Sequence, residues 1–205
     1  MFNAKVDNPS RYLDALVKEF TRLPGIGPKS ASRLAFHILK MRSEDVKLLA
    51  RAMLDLKENI VRCSVCGGIS DSGICSICDD KDRDASLLCV VENARDVITV
   101  ESAGGYGGYY HVLSGLISPL DGVGPDELNI RELLKRCADG GRPAELILAL
   151  NPTIEGDATA LYLAGIIAPM NITVSRIARG LPVGADLEYA DSATIVKSFE
   201  GRIRM

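Results

Sequence analysis

Four cysteines form two Cys-x-x-Cys pairs, Cys63 with Cys66 and Cys75 with Cys78, and eight residues separate the pairs. Thiolates at this spacing can converge on one Zn²⁺ in tetrahedral geometry, and a closed shell of four cysteines is typical of a structural site. We therefore predict one structural zinc ion held by these four residues. Two disulfides are the alternative, although nothing else in the sequence indicates an oxidising compartment. A catalytic zinc is disfavoured because it would keep one coordination position open for water.

A second group of residues is suited to binding phosphate. Gly25 and Gly27 bracket one isoleucine, and Pro28 begins a predicted helix that carries Lys29 and Arg33 one turn apart. Glycines permit a tight turn close to a phosphate, and the free amides at a helix start favour an anion. This pattern is typical of a helix–hairpin–helix, which binds the DNA backbone without reading bases. The alternative is a plain helical turn with solvated cations. A nucleotide P-loop is disfavoured because Pro28 replaces the glycine before the lysine.

Carboxylates follow two predicted strands, with Glu92 after the first and Glu155 and Asp157 after a later one. Ligands bind beyond the carboxyl ends of parallel strands, so we expect these residues to share a crevice. The arrangement resembles a Toprim domain, in which a glutamate and an Asp-x-Asp pair hold Mg²⁺. Here Asn151 and Thr153 stand in place of the two aspartates. Two hard anionic ligands are thereby lost, and we do not expect Mg²⁺-assisted catalysis.

The tyrosines and histidines offer no well-supported catalytic group. Tyr106, Tyr109 and Tyr110 lie in or beside a glycine-rich segment. A topoisomerase-like nucleophile is the alternative there, but we expect contact residues. His37 and His111 have no obvious acid–base partner in the sequence, so we expect each to be structural or a surface contact.

The elements that must position these groups change in type along the chain. Apolar residues recur at three- and four-residue spacing over residues 13–23, 31–39 and 46–60. This periodicity predicts three amphipathic helices before the cysteine unit. The acidic stretch 79–84 then marks a boundary.

Beyond residue 85 the sequence predicts strands that alternate with helices. The candidate strands are the short apolar runs 87–91, 146–150 and 172–177. Helical patterns lie at 130–137 and 158–166, and residues 104–108 form a predicted glycine-rich loop. Such alternation favours an α/β domain with a mostly parallel sheet. The remaining thiols, Cys89 and Cys137, have apolar neighbours and are predicted to be buried in the core.

Composition and charge limit the class of protein. The chain has 205 residues, 47% of them apolar, and a net charge of −3. Residues 1–62 carry twelve basic and seven acidic side chains, a net of +5, whereas residues 63–205 carry twelve and twenty, a net of −8. A basic module on an acidic body is typical of a protein that touches a polyanion at one end. The sequence shows no signal peptide or membrane-length apolar run, so we expect a soluble cytoplasmic protein.

The order of these modules resembles the RecR family of bacterial recombination mediators over nearly the whole chain. Residues 113–125 and 176–191 also look like family signatures. The resemblance implies a multi-module α/β protein. Its parts are a helix–hairpin–helix DNA-binding module at 1–56, a four-cysteine zinc finger at 57–80, a Toprim domain at 81–175 and a short Walker B-like segment at 176–205. No Walker A segment accompanies the last part, so we infer no nucleotide hydrolysis.

The resemblance further implies a non-catalytic role in DNA repair. Family members work with RecO, and in many bacteria with RecF, to load RecA onto single-stranded DNA coated by single-strand-binding protein. Some assemble as dimers that pair into a ring-shaped tetramer able to encircle DNA. We therefore expect a nucleoid-associated clamp, with Glu92, Glu155 and Asp157 facing a basic surface of RecO.

Two other functions compete with this interpretation. A Toprim nuclease or topoisomerase-like enzyme would use Glu92 and Glu155 with Mg²⁺, but Asn151 and Thr153 count against it. A zinc-bearing transcription regulator would need a recognition helix with base-reading polar residues, which the sequence lacks.

Overall fold

The computed structural model describes residues 10–138 and 143–203. The chain divides into two compact units, Met1–Asn59 and Ile60–Met205, which we call the helical unit and the sheet unit. No helix in the described part of the chain is long and apolar enough to cross a membrane.

The helical unit contains three helices, as the periodicity predicts. They are α1 (Arg11–Thr21), α2 (Pro28–Lys40) and α3 (Ser43–Asn59). Helix α1 packs against α2, which buries Ala31 and Ala35 on one face. These small side chains allow close approach of a neighbouring helix but bury little apolar area. The unit therefore gains limited stability from its own core.

The sheet unit opens with the cysteine segment. Strand β1 (Val61–Arg62) pairs antiparallel with β2 (Ile69–Ser70), and the one-turn helix α4 (Ser76–Asp79) follows. Hydrogen bonds close the loop between the strands: Cys63 N–H donates to the Gly68 carbonyl at 2.8 Å. The two short strands thus fold the chain back on itself around the cysteines.

A four-stranded sheet forms the centre of the unit. Its strands are β3 (Asp84–Val91), β4 (Gly108–Val112), β5 (Glu145–Ala149) and β6 (Thr173–Arg176). All are parallel, in the order β4-β3-β5-β6, so the predicted mostly parallel sheet is confirmed. Strand β4 was not predicted. It starts at Gly108, where a Cβ atom would lie 2.7 Å from the Leu87 carbonyl oxygen, so only glycine permits this approach.

Helices cover both faces of the sheet. They are α5 (Ala94–Ala103), α6 (Ile130–Ala138) and α7 (Ile154–Ile167), and α8 (Ser192–Glu200) follows the sheet. One core cluster joins Leu88 and Val90 of β3 to residues of α6 and α7, including Cys137. The other joins Cys89 and Val91 to Val97 of α5. Alternate residues of β3 thus face opposite layers, and the predicted burial of both core thiols is confirmed.

Candidate DNA-binding and metal-binding sites

The turn between α1 and α2 is built on two glycines in different conformations. Gly25 has a φ of +79°, a left-handed value that strongly favours glycine. Gly27 is the extended N-cap of α2, with φ −81° and ψ 167°. Ile26 N–H donates to the Leu23 carbonyl at 3.1 Å, and the Ile26 side chain is half-buried. The backbone therefore turns sharply just before the helix begins.

The start of α2 has the electrostatics of an anion site. Pro28 occupies its first position, and no acidic residue lies in its first turn. The free amides and the positive end of the helix dipole are thus left without a carboxylate of their own. Lys29 and Arg33 are both exposed on this helix. Arg33 also lines a cavity with Ser30 and His37, and the His37 side chain is exposed.

The four cysteine sulfurs converge on one point. The Sγ atoms of Cys63, Cys66, Cys75 and Cys78 all lie within 4.8 Å of one another. The Cys66 and Cys75 sulfurs are 3.7 Å apart, and all four thiols are free rather than paired as disulfides. Sulfurs from both Cys-x-x-Cys pairs thus form one cluster, as ligands of a single ion must.

The hydrogen bonds around these sulfurs favour one thiolate, at Cys66. A hydrogen bond from the Cys78 thiol lowers the pKa of Cys66 to about 5, and the same contact raises the pKa of Cys78. The Gly68 amide donates to the Cys66 sulfur at 3.3 Å, and the Cys75 amide donates to the Cys63 sulfur at 3.4 Å. Four converging thiols with amide donors fit a closed tetrahedral Zn²⁺ site.

The carboxyl edge of the sheet brings Glu92 and Asn151 together. Glu92 follows β3, Asn151 follows β5, and the Asn151 side-chain amide donates to Glu92 Oε2 at 2.8 Å. An aspartate at position 151 would place a second negative charge beside Glu92 and, without a cation, would repel it. The neutral amide thus donates a hydrogen bond to Glu92 and adds no second negative charge.

The other replaced aspartate position has a structural role. Thr153 is the N-cap of α7, and its hydroxyl accepts a hydrogen bond from the Gly156 amide at 3.0 Å. Such a cap contributes about 1 kcal/mol to helix stability. Neither Asn151 nor Thr153 supplies the anionic oxygen that Mg²⁺ prefers.

The two remaining carboxylates differ in their contacts. Asp157 accepts from Arg176 at 2.6 Å and also forms an ion pair with Arg179. Within the described residues, the half-buried Glu155 side chain makes no hydrogen bond or ion pair. A basic partner would therefore find no competing cation at Glu155 among the described residues. At Asp157 it would compete with two arginines.

The tyrosines of the glycine-rich segment are engaged in hydrogen bonds. The hydroxyls of Tyr106 and Tyr109 donate to backbone carbonyls, and Tyr110 donates to Glu101 Oε1 at 2.6 Å. Burial raises the pKa of Tyr106 and Tyr110, which disfavours the phenolate that a nucleophile requires. These side chains act as contacts, in agreement with the sequence-based expectation.

His111 is structural. It is 1% exposed, its Nε2 lies 2.9 Å from the Asn129 carbonyl, and its Nδ1 lies 3.4 Å from Arg136. Burial lowers the pKa of His111 to about 4, so the ring is neutral at physiological pH. Because Arg136 only donates, His111 Nε2 carries the proton and donates to Asn129.

Several arginine contacts were missed from the sequence. Arg176 and Arg179 lie in the segment 176–191, where the sequence predicts no specific contact, yet both pair with Asp157. Arg62 donates to Asn129 Oδ1 at 3.0 Å and also to the Ser114 hydroxyl. These partners lie 67 and 52 positions away, and no local spacing signals such a contact.

Comparisons with known proteins agree with this set of sites. Family models for the RecR helix-hairpin-helix, the RecR four-cysteine zinc-finger domain and the RecR C-terminal segment match residues 13–57, 60–80 and 180–203, and a Toprim domain model matches residues 86–178. Recombination protein RecR of Desulforudis audaxviator is 53% identical over 193 residues, which are 94% of this chain and 97% of that protein. The chain belongs to the RecR family. RecR proteins of Chlorobium chlorochromatii (52% identical over 198 residues, 95% of this chain and 97% of that protein) and Streptomyces coelicolor (54% over 187 residues, 91% and 94%) are also similar.

Membership in the RecR family confirms the predicted combination of modules. The helix–hairpin–helix, the four-cysteine zinc finger and the Toprim domain occur in the predicted order. The RecR assignment connects the chain with DNA recombination and repair, and the zinc-finger match agrees with the convergence of the four sulfurs.

Proposed function

We propose that this chain is a non-catalytic DNA-binding recombination mediator in RecFOR-type repair. In this role it helps load RecA onto single-stranded or gapped DNA coated by single-strand-binding protein. The observation that carries the proposal is the glycine turn that leads into the amino end of α2, where Gly25 is left-handed and cations follow. Similarity to RecR proteins supports the same role.

DNA binding is proposed for Gly25, Gly27, Lys29 and Arg33. The two glycines bring the backbone close to a phosphate, and the two exposed cations hold neighbouring phosphates. All of these contacts are to the backbone of the nucleic acid, so binding is independent of base sequence and sensitive to salt.

The test is the double variant Lys29→Ala/Arg33→Ala in a fluorescence-anisotropy titration with two unrelated duplexes. Each lost phosphate contact should weaken binding about eightfold at 0.1 M salt and reduce the salt slope by about one. Lys40→Ala, at the other end of α2, is the matched control and should bind like the parent. Unchanged affinity and slope in the double variant would refute this DNA site.

The absence of catalysis is proposed from the chemistry of the sheet edge. Asn151 satisfies Glu92, and Thr153 caps α7, so two neutral side chains hold the positions of the Toprim aspartates. The competing function is a Mg²⁺-dependent nuclease or topoisomerase. We expect no nicking of supercoiled plasmid with Mg²⁺ or Mn²⁺, and metal-dependent nicking that Glu92→Gln abolishes would favour the enzyme.

Contact with a basic surface of RecO is proposed for Glu92, Glu155 and Asp157, with RecF as a further partner in many bacteria. Support comes from Glu155, whose carboxylate has no partner within the described residues. Glu155→Lys should reduce capture of purified RecO strongly and Glu155→Gln less, because only the first introduces repulsion. Equal capture by the parent and Glu155→Lys would remove this contact.

Self-association into a dimer and a ring-shaped tetramer is also proposed. Helix α3 has no buried residue, and five of its large apolar side chains are exposed: Leu48, Leu49, Met53, Leu54 and Leu56. Apolar surface of this extent favours contact with a second copy. Light scattering with and without a gapped duplex should report a mass above one chain, and a strict monomer in both samples would contradict the clamp.

One structural Zn²⁺ is proposed for Cys63, Cys66, Cys75 and Cys78. When bound, the ion cross-links the two Cys-x-x-Cys pairs. The chain's own residues position the sulfurs through the short β1–β2 pairing and the Gly68 and Cys75 amides. We also propose four modules, at residues 1–56, 57–80, 81–175 and 176–205. The proposed location is the bacterial cytoplasm, in association with the nucleoid.

A further inference from the structure

We call residues 60–80, which carry the four cysteines, the cysteine module. The guanidinium of Arg62 connects this module to the four-stranded sheet. Arg62 lies on β1, directly before Cys63, and its side chain is exposed overall. Even so, each of its three nitrogens has an acceptor. Nε donates to the Gly67 carbonyl at 3.3 Å, one terminal nitrogen donates to Asn129 Oδ1 at 3.0 Å, and the other donates to the Ser114 hydroxyl. A planar group with this many fixed acceptors is held in one orientation.

The segment that Arg62 contacts has an unusual backbone. Ser114 has a φ of +69° and Gly115 a φ of +151°. A left-handed serine is disfavoured unless its surroundings hold it there. Here the Ser114 hydroxyl receives hydrogen bonds from Arg62 and from the Asn129 amide, the second at 3.3 Å. Two donors from distant parts of the chain thus fix this turn.

The same turn supports the backbone of Glu92. The Ser114 and Gly115 amides both donate to the Glu92 carbonyl, at 2.8 and 3.2 Å. Arg62, Glu92, Ser114 and Gly115 also line one cleft of about 490 Å³. The contacts therefore run without a break from the cysteine module, through Arg62 and Ser114, to the residue at the carboxyl end of β3.

The cysteine loop fits this network closely. The Val112 amide donates to the Cys66 carbonyl at 2.8 Å, and the Asn129 amide donates to the Val112 carbonyl at 2.7 Å. Gly67 has a φ of +75°, and a Cβ atom there would lie 2.6 Å from Asn129 Nδ2. Position 67 therefore has no room for a side chain, because the cysteine module packs directly against Asn129.

We propose that Arg62 is a positioning residue that holds the Ser114–Gly115 turn against Glu92, so that the cysteine module sets the position of Glu92 at the carboxyl end of β3. The functional part of this proposal rests on the proposed contact of Glu92 with a basic partner. The structural part stands on the hydrogen bonds alone. Each part has its own measurement.

The first measurement is hydrogen exchange by mass spectrometry on the zinc-loaded full chain, in a peptide that spans residues 113–118. Arg62→Met keeps the aliphatic stem but removes all three donors, and should accelerate exchange at this turn at least about tenfold. Arg62→Lys keeps the charge without the planar fork and should accelerate it less. Arg131→Met is the matched control, because Arg131 is 77% exposed and its nearest carboxylate is 4.0 Å away.

The acceleration of hydrogen exchange must be confined to the turn at residues 113–118. Zinc content and exchange in strand β5 should be the same in all variants. Parent-like exchange at residues 113–118 in Arg62→Met would overturn the proposal. An equal acceleration in β5 would also overturn it, because Arg62 would then be a general stability residue. If Arg62→Met fails to fold, Ser114→Ala removes only the hydroxyl acceptor and is held to the same criteria.

The second measurement compares two affinities. Arg62→Met should weaken capture of purified RecO about fivefold or more and leave DNA affinity unchanged, because the DNA site lies in the helical unit. Glu92→Gln distinguishes the possible failures. If Glu92→Gln weakens capture but Arg62→Met does not, the positioning role is wrong. If neither does, the proposed partner contact fails, and the exchange result alone decides the structural part.

Discussion

Within the described residues of the helical unit, two alanines are buried, whereas the sheet unit buries two clusters of large apolar side chains. Leu48 on α3 is 69% exposed and Leu163 on α7 is 0% exposed, although both are leucines within helices. The sheet unit buries the apolar residues of its central strands under helices on both faces, although peripheral side chains such as Leu120, Leu161 and Phe199 stay exposed. The helical unit leaves most of its own at the surface.

The two units therefore differ in what their side chains are available to contact. The sheet unit is held by its own core and by the cysteine cluster, so its side chains keep fixed positions at the strand ends. The helical unit offers backbone amides, cations and uncovered apolar faces, all of which are suited to contacts outside the chain. Equivalent substitutions in the two units should therefore have different effects.

The largest difference between the two units should follow loss of the proposed zinc ion from the four cysteines. Cys63→Ser should release zinc and lower the stability of the sheet unit by more than about 4 kcal/mol, because metal affinity contributes directly to folding in such modules. Zinc analysis and thermal unfolding followed by circular dichroism would measure both effects. Cys137→Ala, a buried thiol outside the cluster, should keep its zinc. A chelated parent protein with an unchanged unfolding midpoint would show that the cluster contributes nothing to the fold.

A pair of leucine truncations tests the two cores directly. Leu163→Ala should cost about 2–5 kcal/mol, because it leaves a cavity in a packed core. Leu48→Ala should change stability by less than about 0.5 kcal/mol in dilute protein. Urea unfolding at several protein concentrations gives both values. A cost for Leu48→Ala that grows with concentration would mean that a second copy buries this residue, and a cost independent of concentration would contradict the exposed face.

A smaller effect is expected at the ion pair between Arg83 and Glu101 in the sheet unit. Arg83 donates to Glu101 at 2.5 Å and Tyr110 donates at 2.6 Å. The Arg83 hydrogen bond, with help from Tyr110, lowers the pKa of Glu101. Glu101→Gln should therefore cost about 1–2 kcal/mol near pH 7.

The pH dependence of this cost has a definite sign. Because the folded pKa is depressed, the stabilisation is complete above the ordinary glutamate pKa near 4.3 and is lost as pH falls through the lower folded value. The difference between parent and Glu101→Gln in urea unfolding should thus shrink in acid. Glu58→Gln, an exposed position on α3, should show no difference at any pH. A gap for Glu101→Gln that stays constant with pH would exclude this assignment.

The smallest effects concern the two hairpin glycines. Gly25→Ala should cost about 1 kcal/mol, because alanine is strained at a φ of +79°. Gly27→Ala should be nearly neutral for stability, since its φ is −81° and a Cβ atom there meets nothing within 4 Å. If a phosphate lies against this backbone, Gly27→Ala will still weaken DNA binding. Neutral stability with unchanged DNA affinity would move the contact away from Gly27.

What the sequence revealed depended on how far apart the interacting residues lie. The cysteine cluster was predictable because its ligands fall within one short segment. The approach of Glu92 and residue 151 followed from a general rule about parallel strands, although the amide–carboxylate bond did not. Helix α5 was missed even though Asn93 and Asp96 form a capping box, a signal that was present in the sequence.

The remaining contacts could not be predicted from local pattern. Strand β4 begins at Gly108 and carries two tyrosines and a histidine, so it lacks the apolar run that marks a buried strand. The Arg62 network depends on the left-handed Ser114, a conformation that serine rarely adopts and that only tertiary contacts select.

The cysteine module also occupies the open edge of the sheet. Strand β4 is the outermost strand on one side, and the module contacts it near both ends: Tyr109 donates to the Asp80 carbonyl at 2.6 Å, and the Val112 amide donates to the Cys66 carbonyl at 2.8 Å. Uncovered strand edges pair with one another and lead to aggregation. Loss of the metal would therefore do more than weaken the fold: it would expose a strand edge, and the metal-free chain should precipitate through edge-to-edge pairing.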